Sequence, residues 1–393
     1  MKQLSCSIQK TPFDQESSSS FMHYDIIIIG AGIVGCACAR ECAAAGFSVA
    51  IIERNVPGGA TTAAGMGHVV VLDDSPAQLA LTNYSQSLWR ELIPQLPSSV
   101  EYETRGTLWV AANDEEMAEV HSKKQVYTAA GIESMILDSI DVQKEEPNLR
   151  RGPACGFLVM NDGVVYPPTA GAFFLQEAQA SGATLLRNQS VVQADHGTVQ
   201  LGDKTVLHCG KIIFATGADN TLLPWLPIQK CKGHLLITDR YPGLVHHQIV
   251  ELGYLKSAHE VTADSVAFNI QPRQTGQLLI GSSRQYGNDD AAIDQRILSE
   301  LLERACSYVP ALTNISSIRV WTGFRAATPD KLPLIGPTED DSIILAMGFE
   351  GLGITNATGA ARLIVDHLLR RPSDIPPTPY LPARVAAAER AHA

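Results

Sequence analysis

The sequence predicts an α/β chain: a parallel-sheet domain built from separated blocks, with an antiparallel-sheet α+β domain inserted into it. Three observations predict this. A short apolar, β-branched run at 25–29 opens into glycines and a small-residue helix, the start of a βαβ unit. Buried-strand runs of the same kind recur at 211–215 and 343–346. Between these blocks, segments near 235–238, 267–271 and 277–281 alternate in the way of antiparallel strands.

The elements follow in order. Residues 1–21 lack the apolar core of a secretory signal and contain a polar serine run at 17–20, so a disordered extension is expected there. Small residues through Ala45 make a helix that can lie close to the sheet, Gly46 ends it, and 48–53 forms the next strand. A strand is expected at 107–111, a charged helix at 115–130, and a helix at 168–182 closed by Gly182. Strands near 190–193 and 205–207 precede the apolar run at 211–215. Helices are expected at 298–308 and 359–369, the second before a proline-rich tail. The expected division gives 22–98, 155–228 and 319–370 to the nucleotide-binding domain, 99–154 and 229–318 to the inserted domain, and 371–393 to the tail.

A length of 393 residues suits about two domains, and 45% hydrophobic with 18% charged residues suits a packed core. A formal net charge of −11 excludes the basic footprint that nucleic acid requires. The longest apolar stretch is interrupted by Gly30, Gly32 and Gly35 and is too short to span a bilayer. Eight cysteines, at 6, 36, 38, 42, 155, 209, 231 and 306, show neither metal-ligand nor redox spacing. No metal site is expected, and a reduced, cytoplasmic setting fits.

Gly30-Ala-Gly32-Ile33-Val34-Gly35 sits between a predicted strand and a predicted helix. Gly30 permits the tight turn, Gly32 lets the backbone approach a pyrophosphate, and Gly35 allows close helix–strand packing. The helix N-terminus offers free amides and its positive dipole end to phosphates. Glu53 follows Gly35 by 18 residues, at the end of the next strand, where a carboxylate accepts bonds from ribose hydroxyls. The segment 58–66 is rich in small and hydroxyl residues; it suits a chain lying against phosphate and a flavin ring, and equally a flexible loop. Far along the chain, Met347-Gly-Phe-Glu-Gly-Leu-Gly-Ile-Thr355 lies between a strand and a helix. A second glycine-rich helix start can direct its dipole at the pyrimidine end of a flavin.

These blocks, with Ala215-Thr-Gly217 and Trp321-Thr-Gly-Phe-Arg325, resemble the D-amino acid oxidase superfamily, near its glycine oxidase and sarcosine oxidase branch. The resemblance runs from about Tyr24 to about Leu369. It implies a discontinuous Rossmann-like FAD-binding domain and FAD, rather than NAD, as cofactor. The implied contacts are Gly30, Gly32, Ile33, Val34, Gly35, Glu53, Arg54, Thr61, Thr62, Ala64, Gly65, Met66, Val191, Gly217 and the loop Gly348, Phe349, Gly351, Leu352, Gly353, Ile354 and Thr355. Arg325 stands where the family's arginine clamps the substrate carboxylate, and a guanidinium fork suits that task. The implied chemistry is hydride transfer from Cα of a neutral amine to flavin N5, giving an imine, with no acid or base residue required.

The sequence also departs from that branch. Asn269 stands where glycine oxidases carry a tyrosine, and Gly351 where they carry a second arginine. The strand Gln277-Leu-Leu-Ile-Gly281 lacks the lysine that sarcosine oxidases place near the flavin, and no cysteine neighbours Arg325 for covalent attachment. Noncovalent FAD is therefore expected. The stretches 63–72 and 231–259 are similar to catalytic subunits of D-hydroxyproline dehydrogenases and, more loosely, of hydrogen cyanide synthase. That similarity implies a hetero-oligomer and an electron acceptor other than oxygen. It makes His68, Tyr254, His259 and Asn269 substrate-binding candidates beside Arg325; locally bonded loop or sheet residues are the alternative for each histidine and the tyrosine. The pair His246-His247 reads as a solvated turn. An oxygen-using oxidase of glycine, sarcosine or a D-amino acid, and a non-catalytic flavin subunit, stay open as alternatives.

Overall fold

The computed structural model describes residues 23–253 and 264–385. Its parallel sheet grows outward from the isoleucine run. His23–Ile29 pairs in parallel with Val49–Glu53 on one side and Val206–Phe214 on the other. Thr184–Arg187 extends the sheet beyond Val49–Glu53, and Ile343–Met347 continues it beside residues 212–214. Successive isoleucines face opposite sides of a strand, and here both sides are covered. Ile26 and Ile28 enter the core with helices Ile33–Ala44, Pro167–Ala180 and Gly353–Leu368, whereas Ile27 and Ile29 pack with Leu223, Leu226 and Met347. A continuous apolar run is therefore what this position needs.

The second sheet has eight strands in the order Ser317–Ala327, Gln229–Arg240, Gln277–Tyr286, Ser265–Pro272, Gln248–Glu251, Thr107–Ala111, Cys155–Val159, Ser134–Asp138. All neighbours are antiparallel except Gln248–Glu251 with Thr107–Ala111. Helix Gln295–Tyr308 covers one face through Leu301, Ala305 and Tyr308, which share a core with Leu236, Phe268 and Ile280. His68–Val69, Gly163–Val164 and Glu103–Thr104 form a separate small sheet, with Gly163–Val164 in the middle. Among the described residues, no helix is long and apolar enough to cross a membrane.

The structure differs from the sequence reading in four places. Cys155–Val159 lies inside the second sheet, across the boundary placed at 154/155; all five residues are buried, so its apolar run has the same appearance in either sheet. Ser317–Ala327 forms an edge of the second sheet, although residues from 319 onward were assigned to the nucleotide-binding domain. Helix Pro76–Leu92 was not anticipated, yet Ser75 caps it by accepting from the Gln78 amide at 3.1 Å and proline opens it. The closing helix begins at Gly353 rather than 359. Gly359 is a helix–helix contact: a Cβ there would stand 2.3 Å from Ser85 Oγ.

Candidate active site

A cavity of about 660 Å³ opens at the carboxyl ends of the parallel strands and runs to the second sheet. Gly30 has φ +102°, and a Cβ on it would lie 2.6 Å from the Ala215 carbonyl. A Cβ on Gly35 would lie 1.9 Å from the Gly30 carbonyl, so helix Ile33–Ala44 presses directly on the turn. Gly32 is different. The nearest protein atom to its Cβ would be Thr62 Oγ1 at 3.4 Å, which leaves the cavity side open for a close approach. Thr62 Oγ1 accepts from the Ile33 amide (3.0 Å), and Thr61 Oγ1 donates to the Phe324 carbonyl (2.9 Å), fixing the segment over the helix start.

Glu53 closes the second strand with its carboxylate turned to the glycine loop, accepting from the Ala31 and Asn55 amides, each at 2.8 Å. Arg54 pairs with Asp219 at 2.7 Å. At the other end of the chain, helix Gly353–Leu368 starts at the same cavity. Neither it nor helix Ile33–Ala44 has a side-chain cap or an acidic residue in its first turn. Two positive helix ends thus face one space.

Of the residues proposed for the cofactor, Gly30, Gly32, Ile33, Val34, Glu53, Arg54, Thr61, Thr62, Ala64, Gly65, Met66, Val191 and Gly217 line the cavity, with Gly348, Phe349, Gly351, Leu352, Gly353 and Ile354. Gly35 and Thr355 do not; they stand behind its wall. Thr355 is buried, and its hydroxyl donates to the His68 carbonyl (2.9 Å) and accepts from the Val70 amide (3.2 Å).

The polar end of the cavity is built on the second sheet. Arg325 lies opposite Cys231, half-buried, with Nη1 donating to the Ser283 carbonyl at 2.9 Å. Its guanidinium fits against Gly233, and Gly351 leaves room on its Nε side, where a Cβ would come within 3.6 Å. Arg284 also lines the cavity and pairs with Glu350 at 2.7 Å. His68 and Asn269 line it too, with Asn269 Nδ2 3.3 Å from His68 Nε2, and His68 Nδ1 hydrogen-bonded to Gln248 Oε1. His68 opens only onto the cavity and is otherwise packed in protein. Burial first, then the positive charges of Arg325 and Arg273, push its pKa down to about 4 against the hydrogen bond to Gln248. The imidazole is therefore neutral at ordinary pH.

Tyr254 and His259 lie outside the described residues. The His246 and His247 amides donate to the Glu146 carboxylate, and His247 Nδ1 lies 2.9 Å from Glu146 Oε1, so this pair ties a loop to a buried acid away from the cavity. Sequence reasoning missed Gln248, Arg284 and Glu350. Gln248 is a fully buried amide opening an apolar strand, and only that mismatch could have marked it.

Residues 25–367 match the family described as DAO, FAD dependent oxidoreductase. The chain belongs to the DAO family of FAD-dependent oxidoreductases. This DAO chain is 24% identical to a glycine oxidase of Pseudomonas aeruginosa over 91% of its own length and 98% of the relative's. It is 25% identical to the hydrogen cyanide synthase subunit HcnC of the same species, over 92% and 96% of the two chains. Its fold superimposes on L-proline dehydrogenase from P. horikoshii with a TM-score of 0.85 at 22% identity, covering 93% of this chain and 99% of the other. Glycine oxidase from Geobacillus kaustophilus gives 0.82 at 22% identity, with 92% and 98% covered.

The DAO cofactor is FAD, and the residues fit it: an open approach at Gly32, two uncapped helix starts, and a carboxylate at the second strand's end. None of the described cysteines lines the cavity, and the described residues contain no group of three or more metal-ligating side chains.

Proposed function

We propose that the protein is a dehydrogenase that oxidises the C–N bond of a small amino or imino acid to an imine, with D-hydroxyproline or D-proline as the model substrate. One observation carries the reading: a half-buried guanidinium, Arg325, stands in the same cavity as the glycine cradle, held by Ser283 and Gly233. A carboxylate gripped by that fork presents its α-carbon to whatever lies along the cradle. FAD supplies the hydride acceptor there.

The neighbouring side chains support a reaction without a protein base. His68 is neutral, but its ring nitrogens are engaged by Gln248 and Asn269. Glu350 is held by Arg284. The amine must therefore arrive already deprotonated, and the chain's contribution is binding, orientation and exclusion of water. The strand Gln277–Tyr286 carries no lysine, which favours an acceptor other than oxygen. Likeness to a protein named as a synthase subunit favours a hetero-oligomer.

The second reading is an oxygen-using oxidase, favoured by the likeness to glycine oxidases. Both readings meet one test: anaerobic mixing of the yellow holoenzyme with D- and L-amino and imino acids. Bleaching by a cyclic D-imino acid supports the proposal, and admission of air then separates the readings by whether peroxide forms. Bleaching by no member of the panel, or full turnover by Arg325→Ala, sinks it.

A further inference from the structure

Two guanidinium groups meet at one end of the cavity, and the protein treats them differently. Arg325 donates to the Ser283 carbonyl and has no acidic partner among the described residues. Arg284 follows Ser283 on the same strand, and Glu350 holds it at 2.7 Å. Both members of that pair line the cavity, and with 11% and 7% of their side-chain surface exposed neither is closed to an incoming group. The pair flanks the Arg325 anchor. The Glu350 amide donates at 2.9 Å to the carbonyl of Ala326, the residue after Arg325, and a Cβ on Gly351 would lie 3.6 Å from Arg325 Nε. That backbone contact fixes Glu350 in the left-handed region, with φ +54°. Glu350 also stands just ahead of the Leu352 N-cap, a place from which a carboxylate is drawn to free helix amides, yet helix Gly353–Leu368 has no side-chain cap. The carboxylate is committed to Arg284.

We infer that Glu350 is a specificity-determining residue: it occupies Arg284 in the place of a second acid group, and so restricts the enzyme to amino or imino acids with a single carboxylate. The inference rests on the function proposed above and narrows its substrate class. Arg325 takes the α-carboxylate. A second carboxylate on the substrate could bind Arg284 only by displacing Glu350, which would leave a protein carboxylate buried without its cation. Left in place, Glu350 meets that group with like charge in a site shielded from water. An uncharged side chain meets neither obstacle. Glutamine at position 350 would keep the shape and still accept from Arg284, but it removes one negative charge and leaves the guanidinium attractive to an acid. One protein carboxylate thus separates a site for monoacids from a site for diacids.

Two inert ligands separate charge from bulk. Succinate and succinamate share one carbon skeleton, and differ in whether the second end is a carboxylate or a neutral amide. Titrated into oxidised holoenzyme and followed by the flavin spectrum, succinamate is expected to bind about tenfold tighter or more, because like charges meeting out of water are costly. Glu350→Gln is expected to bring the ratio to one or invert it. Glu350→Asp keeps the charge and is expected to keep the preference. Arg325→Met weakens both ligands alike. Equal binding of the two to the unaltered enzyme, with both still dependent on Arg325, overturns the role of Glu350 and leaves the proposed function standing. A preference for succinamate that survives Glu350→Gln in flavin-loaded protein does the same. No spectral response to either ligand overturns the proposed function and this assignment with it.

Discussion

Gly233 leaves the space that the Arg325 guanidinium fills: a Cβ at position 233 would stand 2.6 Å from Nη1. The two residues are on neighbouring strands, and the glycine is in extended backbone that alanine also adopts. The atom in conflict is the tip of a flexible side chain, so the fold can yield at little cost while the fork moves.

Gly233→Ala is therefore expected to lower kcat/KM on the order of a hundredfold through a shifted carboxylate anchor. Folding stability should fall by less than about 1 kcal/mol. Steady-state kinetics beside thermal melts check this. An unchanged kcat/KM in a well-folded variant would refute the placement of Arg325.

The glycine turn makes a contrasting pair. Gly35→Ala sets a Cβ 1.9 Å from a backbone carbonyl, and neither atom can turn aside. A loss of about 3 kcal/mol or more is expected, with poor recovery of folded protein. Gly32→Ala meets only Thr62 Oγ1 at 3.4 Å, so this variant should fold and lose FAD affinity instead. Calorimetric titration of apoprotein with FAD, together with melting temperature, distinguishes the two behaviours.

A third expectation concerns Asp162, which is fully buried. Its Oδ1 accepts from the Val71 amide (3.0 Å) and Gln86 Nε2 (2.9 Å), while Oδ2 has no partner among the described residues. Burial pushes its pKa from 3.8 up to about 7. Between those values the folded state holds a proton that the unfolded state has lost, so this group's contribution to stability falls as pH rises from about 4 to 7. His68 acts in the opposite sense, because its folded pKa of about 4 lies below the ordinary 6.5 and its contribution is lost as pH drops through that window. Comparing wild type with Asp162→Asn isolates the acid. The variant should gain relative stability with rising pH by more than about 1 kcal/mol. A constant difference between the two melting curves from pH 4 to 7 would exclude a raised Asp162.

Turnover should follow the substrate's own amine. With His68 neutral above about pH 4, kcat/KM is expected to rise as the amine deprotonates and to show no histidine inflection. His68→Gln should keep the same apparent pKa even if its rate is lower. An inflection near neutrality that disappears in His68→Gln would identify the imidazole as a base.

The parts legible in the sequence are those written locally. The isoleucine run, the glycines after it and Glu53 sit within one βαβ unit, and their spacing carries their meaning. Arg325 entered through the resemblance of the motif around it, and the structure sets it on the cavity wall. Other features depend on which strands pair. Asn269 stands between Val250 and Gly281, and His68 reaches it from a two-residue strand of another sheet; no spacing in the chain announces that meeting. The run 155–159 shows the limit of periodicity, because a strand buried on both faces looks alike in either sheet. Ser75 and Pro76 are a local helix start of the ordinary kind, a capping hydroxyl followed by proline at the first helical position.

The two helix starts at Gly32 and Leu352 come from opposite ends of the polypeptide and converge on one cavity. A chain still emerging from the ribosome has the first half of this cradle and lacks the second. The cavity's two electropositive ends therefore exist together only once the segment around residue 352 has folded against the first glycine turn. Cutting the chain ahead of position 352 would leave a dinucleotide loop with only one electropositive wall.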